Sequence, residues 1–403
     1  MERKWWTLIA VSVGTFMLLL DITIVNVALP AIQHALGASL SDLQWIVDAY
    51  ALTLAALLLT TGSLADRFGR RRLFVMGTAV FTVGSLLCGV AQNPLFLILS
   101  RAAQGVGGAT MFATTLALLA SAFHGRDRGV AFGVYGAISG AAVALGPVLG
   151  GIITSGISWR WIFFVNVPIG VLAIAVSLLR VEESLNPNAR RPDVAGFVTF
   201  SGALGALVYG LISTTRLGWG SFTVIASLVG AGVLLAGFVA VEKLQSAPMF
   251  DFTLLRKPTF TGGLIAAFGI SASLFSLLTY LTLYLQNDLG FSAVAAGLRF
   301  LVLTGAIFLS AGVAGRLTEV LPTRLLISPG FVLISGGVLL MRGVGATSHW
   351  THLVPGLVMA GVGAGMVNVP LASTAVGVVE PQRAGMASGV NSTFRQVGIA
   401  TGI

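Results

Sequence analysis

The sequence predicts an all-α, polytopic integral membrane protein, on three observations. Of its 403 residues, 56% are hydrophobic and only 9% charged, with a mean hydropathy of +0.94; a soluble domain carries about 25% charged residues. Apolar stretches of roughly 20 residues, each the span of one bilayer-crossing helix, recur along the whole chain. The cations collect in short turns between those stretches, as they do on the cytoplasmic side of a membrane protein. A formal net charge of +9 would point a soluble chain to nucleic acid. Here the loop positions account for it, so the expected partner is a lipid bilayer and no nucleic acid. The single cysteine, Cys88, excludes an intrachain disulfide and a Cys-based zinc site.

Taken in order, the apolar windows predict helices over about 7–29, 44–65, 73–91, 95–120, 128–155, 161–180, 194–213, 221–241, 259–286, 293–315, 323–341, 353–373 and 384–403. The first is a retained helix and not a cleaved signal. Its run to Pro30 is about 23 residues long, against 7–15 for a signal, and Asp21 interrupts it. The second ends in Gly62-Ser-Leu-Ala-Asp66-Arg67-Phe-Gly69-Arg70-Arg71-Arg72. Four arginines are costly in hydrocarbon, so this turn is cytoplasmic and the N-terminus lies inside. Threading from there puts Arg3, Lys4, Arg126, Arg128, Arg180, Arg190, Arg191, Lys243, Arg256, Lys257, Arg316, Arg324 and Arg383 inside as well. Only Arg160, Arg216 and Arg342 fall outside. The polar stretch Arg180–Asp193 closes the first six helices, and a second break, Glu242–Pro258, precedes the last block. Between them lie two extra helices joined by Arg216-Leu-Gly-Trp-Gly220. The chain thus divides into a bundle over 1–180, a linker with two inserted helices over 181–258, and a second bundle over 259–403. An echo of the arginine turn, Gly312-Val-Ala-Gly-Arg316-Leu-Thr-Glu319, is what a duplicated half would carry.

The arginine turn closely resembles the loop between helices 2 and 3 of the major facilitator superfamily of secondary transporters. Leu20-Asp21-Ile-Thr23-Ile-Val-Asn26-Val-Ala-Leu-Pro30, the two inserted helices and Trp159-Arg-Trp-Ile-Phe-Phe-Val-Asn166-Val-Pro168 are similar to its 14-helix drug/proton antiporter branch, the EmrB/QacA type. The resemblance implies two six-helix bundles plus two central helices, the second bundle here lacking its last helix. It also implies that Gly62, Asp66, Arg67, Gly69, Arg70 and Arg71 form a cytoplasmic gate, with Asp66 engaging the N-terminal end of the helix near Ala384 and Gly385. Arg101-Ala-Ala-Gln104-Gly105 is similar to the helix 4 motif in which the arginine serves proton transfer. Gly136, Gly140, Gly146, Pro147, Gly150 and Gly151 resemble the helix 5 motif associated with exporters.

Three intramembrane ionisable groups stand out from the residues themselves: Asp21, Asp48 and Arg101. Each costs about 2.5–3.5 kcal/mol at a helix centre. At 1.5 Å per residue they lie roughly 12, 6 and 9 Å below the outer surface, a depth at which they can share one cavity. Desolvation favours a protonated acid and a nearby guanidinium favours the carboxylate, so relative movement switches the proton on and off. Asp21 or Asp48 is the expected carrier, and Arg101 the group that tunes it. The alternative is a static pair that holds helices together. Gln104 at i+3 and Gly105 at i+4 put a polar side chain and a notch on the face of Arg101. The two Gly-x-x-x-Gly pairs of helix 5 make a stripe for close helix approach, and Pro147 bends it. Asn26, Gln44, Gln286, Asn368 and Asn391 are expected to bridge helices, with contact to substrate as the alternative, and Arg299 and Arg395 to line the path or snorkel.

The expected activity is export of small amphipathic or cationic compounds from the cell by a monomer in the plasma membrane. A proton gradient supplies the energy in place of any cofactor. A metabolite permease or a non-transport receptor are the alternatives. No nucleophile–base pair, metal cluster or phosphate loop is legible, so no enzyme is expected.

Overall fold

The computed structural model describes residues 2–123, 125–185, 193–245, 250–318, 320–345, 347–376 and 384–403. Among them every regular element is helical. The first group comprises α1 (Arg3–Leu36), α2 (Leu40–Phe68), α3 (Arg70–Gly89), α4 (Pro94–Ala122), α5 (Gly125–Gly156), α6 (Trp161–Phe164) and α7 (Asn166–Arg180). A hairpin of α8 (Val194–Leu217) and α9 (Phe222–Leu244) follows. The second group is α10 (Pro258–Leu283), α11 (Ala293–Leu317), α12 (Arg324–Leu340), α13 (Val354–Val376) and α14 (Ala384–Gly402). Among the described residues, ten helical stretches are long and apolar enough to cross a membrane, the α6–α7 stretch counting as one.

Local chemistry sets the boundaries, and some differ from the sequence expectation. The first helix does not stop near Pro30 but runs on to Leu36, where Gly37, at φ 61°, donates to the Gln33 carbonyl. Proline is tolerated inside a membrane helix when a neighbour supplies donors; beside Pro30, Gln286 Nε2 donates to the Val27 carbonyl at 2.9 Å. The second helix starts at Leu40, a turn earlier than expected. Ser39 and Asp42 form a reciprocal capping box there, Ser39 Oγ accepting from the Asp42 amide and Asp42 Oδ2 from the Ser39 amide. Asn93 caps α4 ahead of Pro94, Asp193 caps α8 and Ser292 caps α11. The span expected as one helix over 161–180 is interrupted at Val165, so α7 begins at Asn166.

Packing follows the apolar faces. In the first group α2 and α3 pack on α4, α1 packs on α5, and α7 lies against α1 and α3; in the second, α13 contacts α10, α11 and α12, and α14 lies along α10. The groups meet through α5 with α11, α2 with α14 and α1 with α10, and α8 packs against α2 and touches α14. Large apolar residues left outside, such as Phe222 at 86% and Leu244 at 88% exposure, are those of a surface that faces lipid. Hydrogen bonds between the groups gather at the end away from the arginine turn. Thr279 Oγ1 donates to Asn26 Oδ1 at 2.8 Å, Gln44 Nε2 to the Ile403 carbonyl at 2.7 Å, and the Val294 amide to Ser155 Oγ at 3.3 Å. Asn26, Gln44 and Gln286 thus bridge helices, as expected of polar residues in a span.

Candidate functional site

Asp21 and Arg101, on helices separated by 80 residues of chain, meet as a buried ion pair, Nη1 to Oδ2 at 2.5 Å. Neither is more than 1% exposed. Arg101 Nη1 also donates to Gln104 Oε1 at 2.6 Å, and its Nε to the Ile46 carbonyl of α2 at 3.2 Å. The other oxygen of Asp21 is satisfied by Gln104 Nε2 at 2.8 Å and Asn166 Nδ2 at 3.1 Å. Both amides also donate to Ser85 Oγ of α3, at 3.0 and 2.9 Å, and that hydroxyl donates to the Phe163 carbonyl. The Tyr50 ring lies 4.2 Å from the guanidinium carbon of Arg101. Five helices, α1, α2, α3, α4 and α7, therefore contribute to one buried polar cluster around this carboxylate. A buried pair is tolerable only when its remaining lone pairs and protons are bonded, and this one is nearly complete.

The helix 4 motif builds this arrangement locally. Gln104, three residues after Arg101, shares its face and orients both partners. Gly105 lets α4 settle on α2, because a Cβ there would collide with Thr53 Oγ1 and the Tyr50 carbonyl. Ser85, Asn166 and Tyr50 are members that sequence reasoning did not select. Asn166 opens α7 directly after the break at Val165, and the only sequence signal was Asn166-Val-Pro168.

Asp48 is not part of the cluster. Tyr50, two residues on and so on nearly the opposite face of α2, is the residue against Arg101. Asp48 is fully buried, and neither carboxyl oxygen has a hydrogen-bond partner. Of the three charges expected to share one cavity, Asp21 and Arg101 are in direct contact and Asp48 is bonded to neither. Equal depth places residues on a level but says nothing about which way a helix turns them.

In the helix 5 motif the close approach is confined to one end. A Cβ at Gly146 would strike Thr23 of α1, one at Gly150 would strike Ile24, and one at Gly151 would strike the Ala293 carbonyl of α11. The Pro147 carbonyl lies against Gly297 in the same way. At Gly136 and Gly140 nothing stands within 4 Å, so that Gly-x-x-x-Gly pair packs no helix here. It lies nearer the arginine turn, where no hydrogen bond between the two groups is found among the described residues.

The arginine turn is tied to the segment that leaves α7. Gly69 turns with φ 109°, a region that favours glycine, and donates to the Ala65 carbonyl. The Glu183 carboxylate then caps α3, accepting from the amides of Arg71 at 2.9 Å and Arg72 at 3.2 Å, and it fills the space beside Gly69. The Arg70 amide donates to the Ser184 carbonyl and Arg71 Nη1 to the Val181 carbonyl. Arg67 is exposed, and Gly62 has no neighbour within 4 Å of a Cβ position. Glu183 was not anticipated from sequence. The side chains of Asp66, Arg126 and Arg128, the faces at Ala384 and Gly385, and residues Arg190, Arg191, Glu319 and Arg383 lie outside the described residues. In the second group Arg299 packs its guanidinium 3.6 Å from the Phe291 ring and 4.7 Å from that of Trp350, and Arg395 is half-buried in α14.

Many bilayer-length helices in two packed groups, with a buried ion pair inside the first, define a polytopic integral membrane protein. The chain belongs to the Major Facilitator Superfamily, whose family profile matches residues 11–403. It is 37% identical over 397 residues to the multidrug resistance protein Stp of Mycobacterium tuberculosis, covering 98% of this chain and 74% of that protein. It is 36% identical to the puromycin resistance protein pur8 of Streptomyces alboniger (100% and 80% covered) and 35% identical to the tetracenomycin C resistance and export protein of Streptomyces glaucescens (99% and 74%). A solved bacterial homologue of the human lysosomal transporter Spinster has the same fold, with a TM-score of 0.67 at 19% identity over 99% of this chain and 81% of that one.

Proposed function

We propose that this chain is a monomeric exporter of small amphipathic drugs or toxic metabolites, driven by protons and working by alternating access, with its N-terminus in the cytoplasm. The observation that carries the reading is the Asp21–Arg101 pair, a buried acid whose partners lie on several helices. Relatives named for drug resistance and export support the direction.

In this reading the ionised Asp21 holds α1 to α4 through Arg101 and Gln104, and to α7 through Asn166. A proton on its carboxylate removes one acceptor from the guanidinium. Arg101 still has Gln104 Oε1 on its own helix and the Ile46 carbonyl on α2, so protonation loosens α1 while leaving α4 tied to α2. Residues 1–180 and 259–403 act as the two rocking halves, and 181–258 carries the inserted hairpin. The groups bond at one end of the bundle in this structure, and rocking transfers the contact to the other end, where Asp66 and the arginine turn form the gate.

Ethidium efflux from expressing cells, with and without a protonophore, tests the reading. Wild type is expected to export the dye until uncoupled, and Asp21→Asn to fail in both conditions. Export by Asp21→Asn at the wild-type rate would remove Asp21 from the mechanism.

A further inference from the structure

Asp48 is a carboxyl group that the Asp21 cluster does not use. It is fully buried, and both of its oxygens lack a hydrogen-bond partner. Few native groups are left in that condition, and each needs an explanation.

Its place on α2 supplies one. Gln44, one turn before Asp48 on the same face, donates to the Ile403 carbonyl beyond α14. Trp45, three residues before, sets its ring 6.3 Å from Tyr209 of α8. Asp48 therefore lies between the α14 side and the α8 side of its helix. Buried apolar residues of the same three helices, Val47 and Ala51 of α2, Val208 and Ile212 of α8, and Ile399 and Ala400 of α14, belong to one cluster. The titratable and charged groups nearby are already occupied or turned away. From α10 the Tyr280 hydroxyl donates to the Ile403 carbonyl, and from α8 Tyr209 is half out in the lipid face at 47% exposure. From α4 Arg101 is bonded on the opposite face of α2, and from α14 Arg395 lies two turns inward of Ile403 with no ion pair to Asp48. The three helices come from the first group, the inserted hairpin and the second group, and they pack together in this structure.

An ionised carboxylate without a donor is far more costly to enclose than the neutral acid. We propose that Asp48 is a second proton site, separate from Asp21, and that it must be protonated before α14 and α8 can close over α2 at the end away from the arginine turn. The proposal rests on the proton-driven exporter reading, in which that end faces outside. The proton that permits closure is then taken from the outer solution, so the empty transporter returns inward only when loaded. The inserted hairpin gains a role as well, since α8 supplies one apolar wall of the site.

The test is the distance between nitroxides on the full chain in lipid, at His34→Cys on α1 and Thr351→Cys ahead of α13. Both positions are exposed at this end, and native Cys88 is buried. In mildly acidic buffer a single short distance is expected, and in mildly alkaline buffer a longer population that grows at least about threefold. Asp48→Asn, and Asp48→Leu as a second variant whose short distance in acid reports correct folding, should stay short in both buffers. A parent that does not open in alkali, or an Asp48→Asn chain that still opens, overturns the latch. Protonophore-sensitive ethidium export by the parent alongside that result would leave the proposed function standing; loss of coupled export in the parent removes the function itself, and the latch with it.

Discussion

Arg101 bonds in three directions, to Asp21, to Gln104 and through Nε to the Ile46 carbonyl. A lysine ammonium is a point donor and cannot reproduce that fork. Arg101→Lys should therefore fold yet lose at least about tenfold in initial efflux rate. Asp21→Asn leaves the guanidinium buried without its counter-charge, a loss of about 3–5 kcal/mol that a lowered melting temperature in detergent would report. Pairing it with Arg101→Met should restore the melting temperature but not transport. Unchanged stability in the single variant would contradict the pair's burial. Asp21, Arg101 and Gln104 were legible in the sequence because an intramembrane charge is expensive and the i, i+3 spacing fixes a shared face. Ser85 and Asn166 were not, since their link to Asp21 spans unrelated helices and neutral polar residues are ordinary in spans. The charge of Asp48 was legible and its direction was not, because tertiary contacts set the rotation of α2 about its axis.

Helix 5 touches its neighbours along only part of its glycine stripe. Gly151→Val would drive side-chain atoms into the Ala293 carbonyl, and overpacking of this kind costs about 1–3 kcal/mol. It is expected to weaken the α5–α11 contact and lengthen the nitroxide distance described above. Gly140→Leu meets no neighbour within 4 Å, so its melting temperature should stay near wild type while its transport rate falls, if the opposite state uses that surface. Wild-type transport in Gly140→Leu would confine the helix 5 motif to the contact seen here. Glu183→Ala removes a cap from α3, worth about 0.5–2 kcal/mol, and hydrogen exchange at the Arg71 and Arg72 amides should rise. The sequence placed these helices well, because a run of some 20 apolar residues is a strong signal. It missed the extension of α1 past Pro30 and the break at Val165, where donors and packing from other helices decide the outcome.

Among the described residues, two groups of helices are joined at one end by hydrogen bonds and glycine contacts, with a buried ion pair in the first group and the unpartnered Asp48 on α2, which packs against α8 and α14. The class of protein was legible from composition alone, and the family from the arginine turn. How the groups meet was not, because contacts between surfaces hundreds of residues apart leave no local pattern. The central claim is that Asp21 exchanges a proton for substrate, and the most direct test is dye uptake by inverted membrane vesicles under an imposed pH gradient. With the interior acid, wild-type vesicles should accumulate ethidium, collapse of the gradient should release it, and Asp21→Asn vesicles should accumulate none above empty membranes. Gradient-driven accumulation by Asp21→Asn at the wild-type rate would contradict the claim.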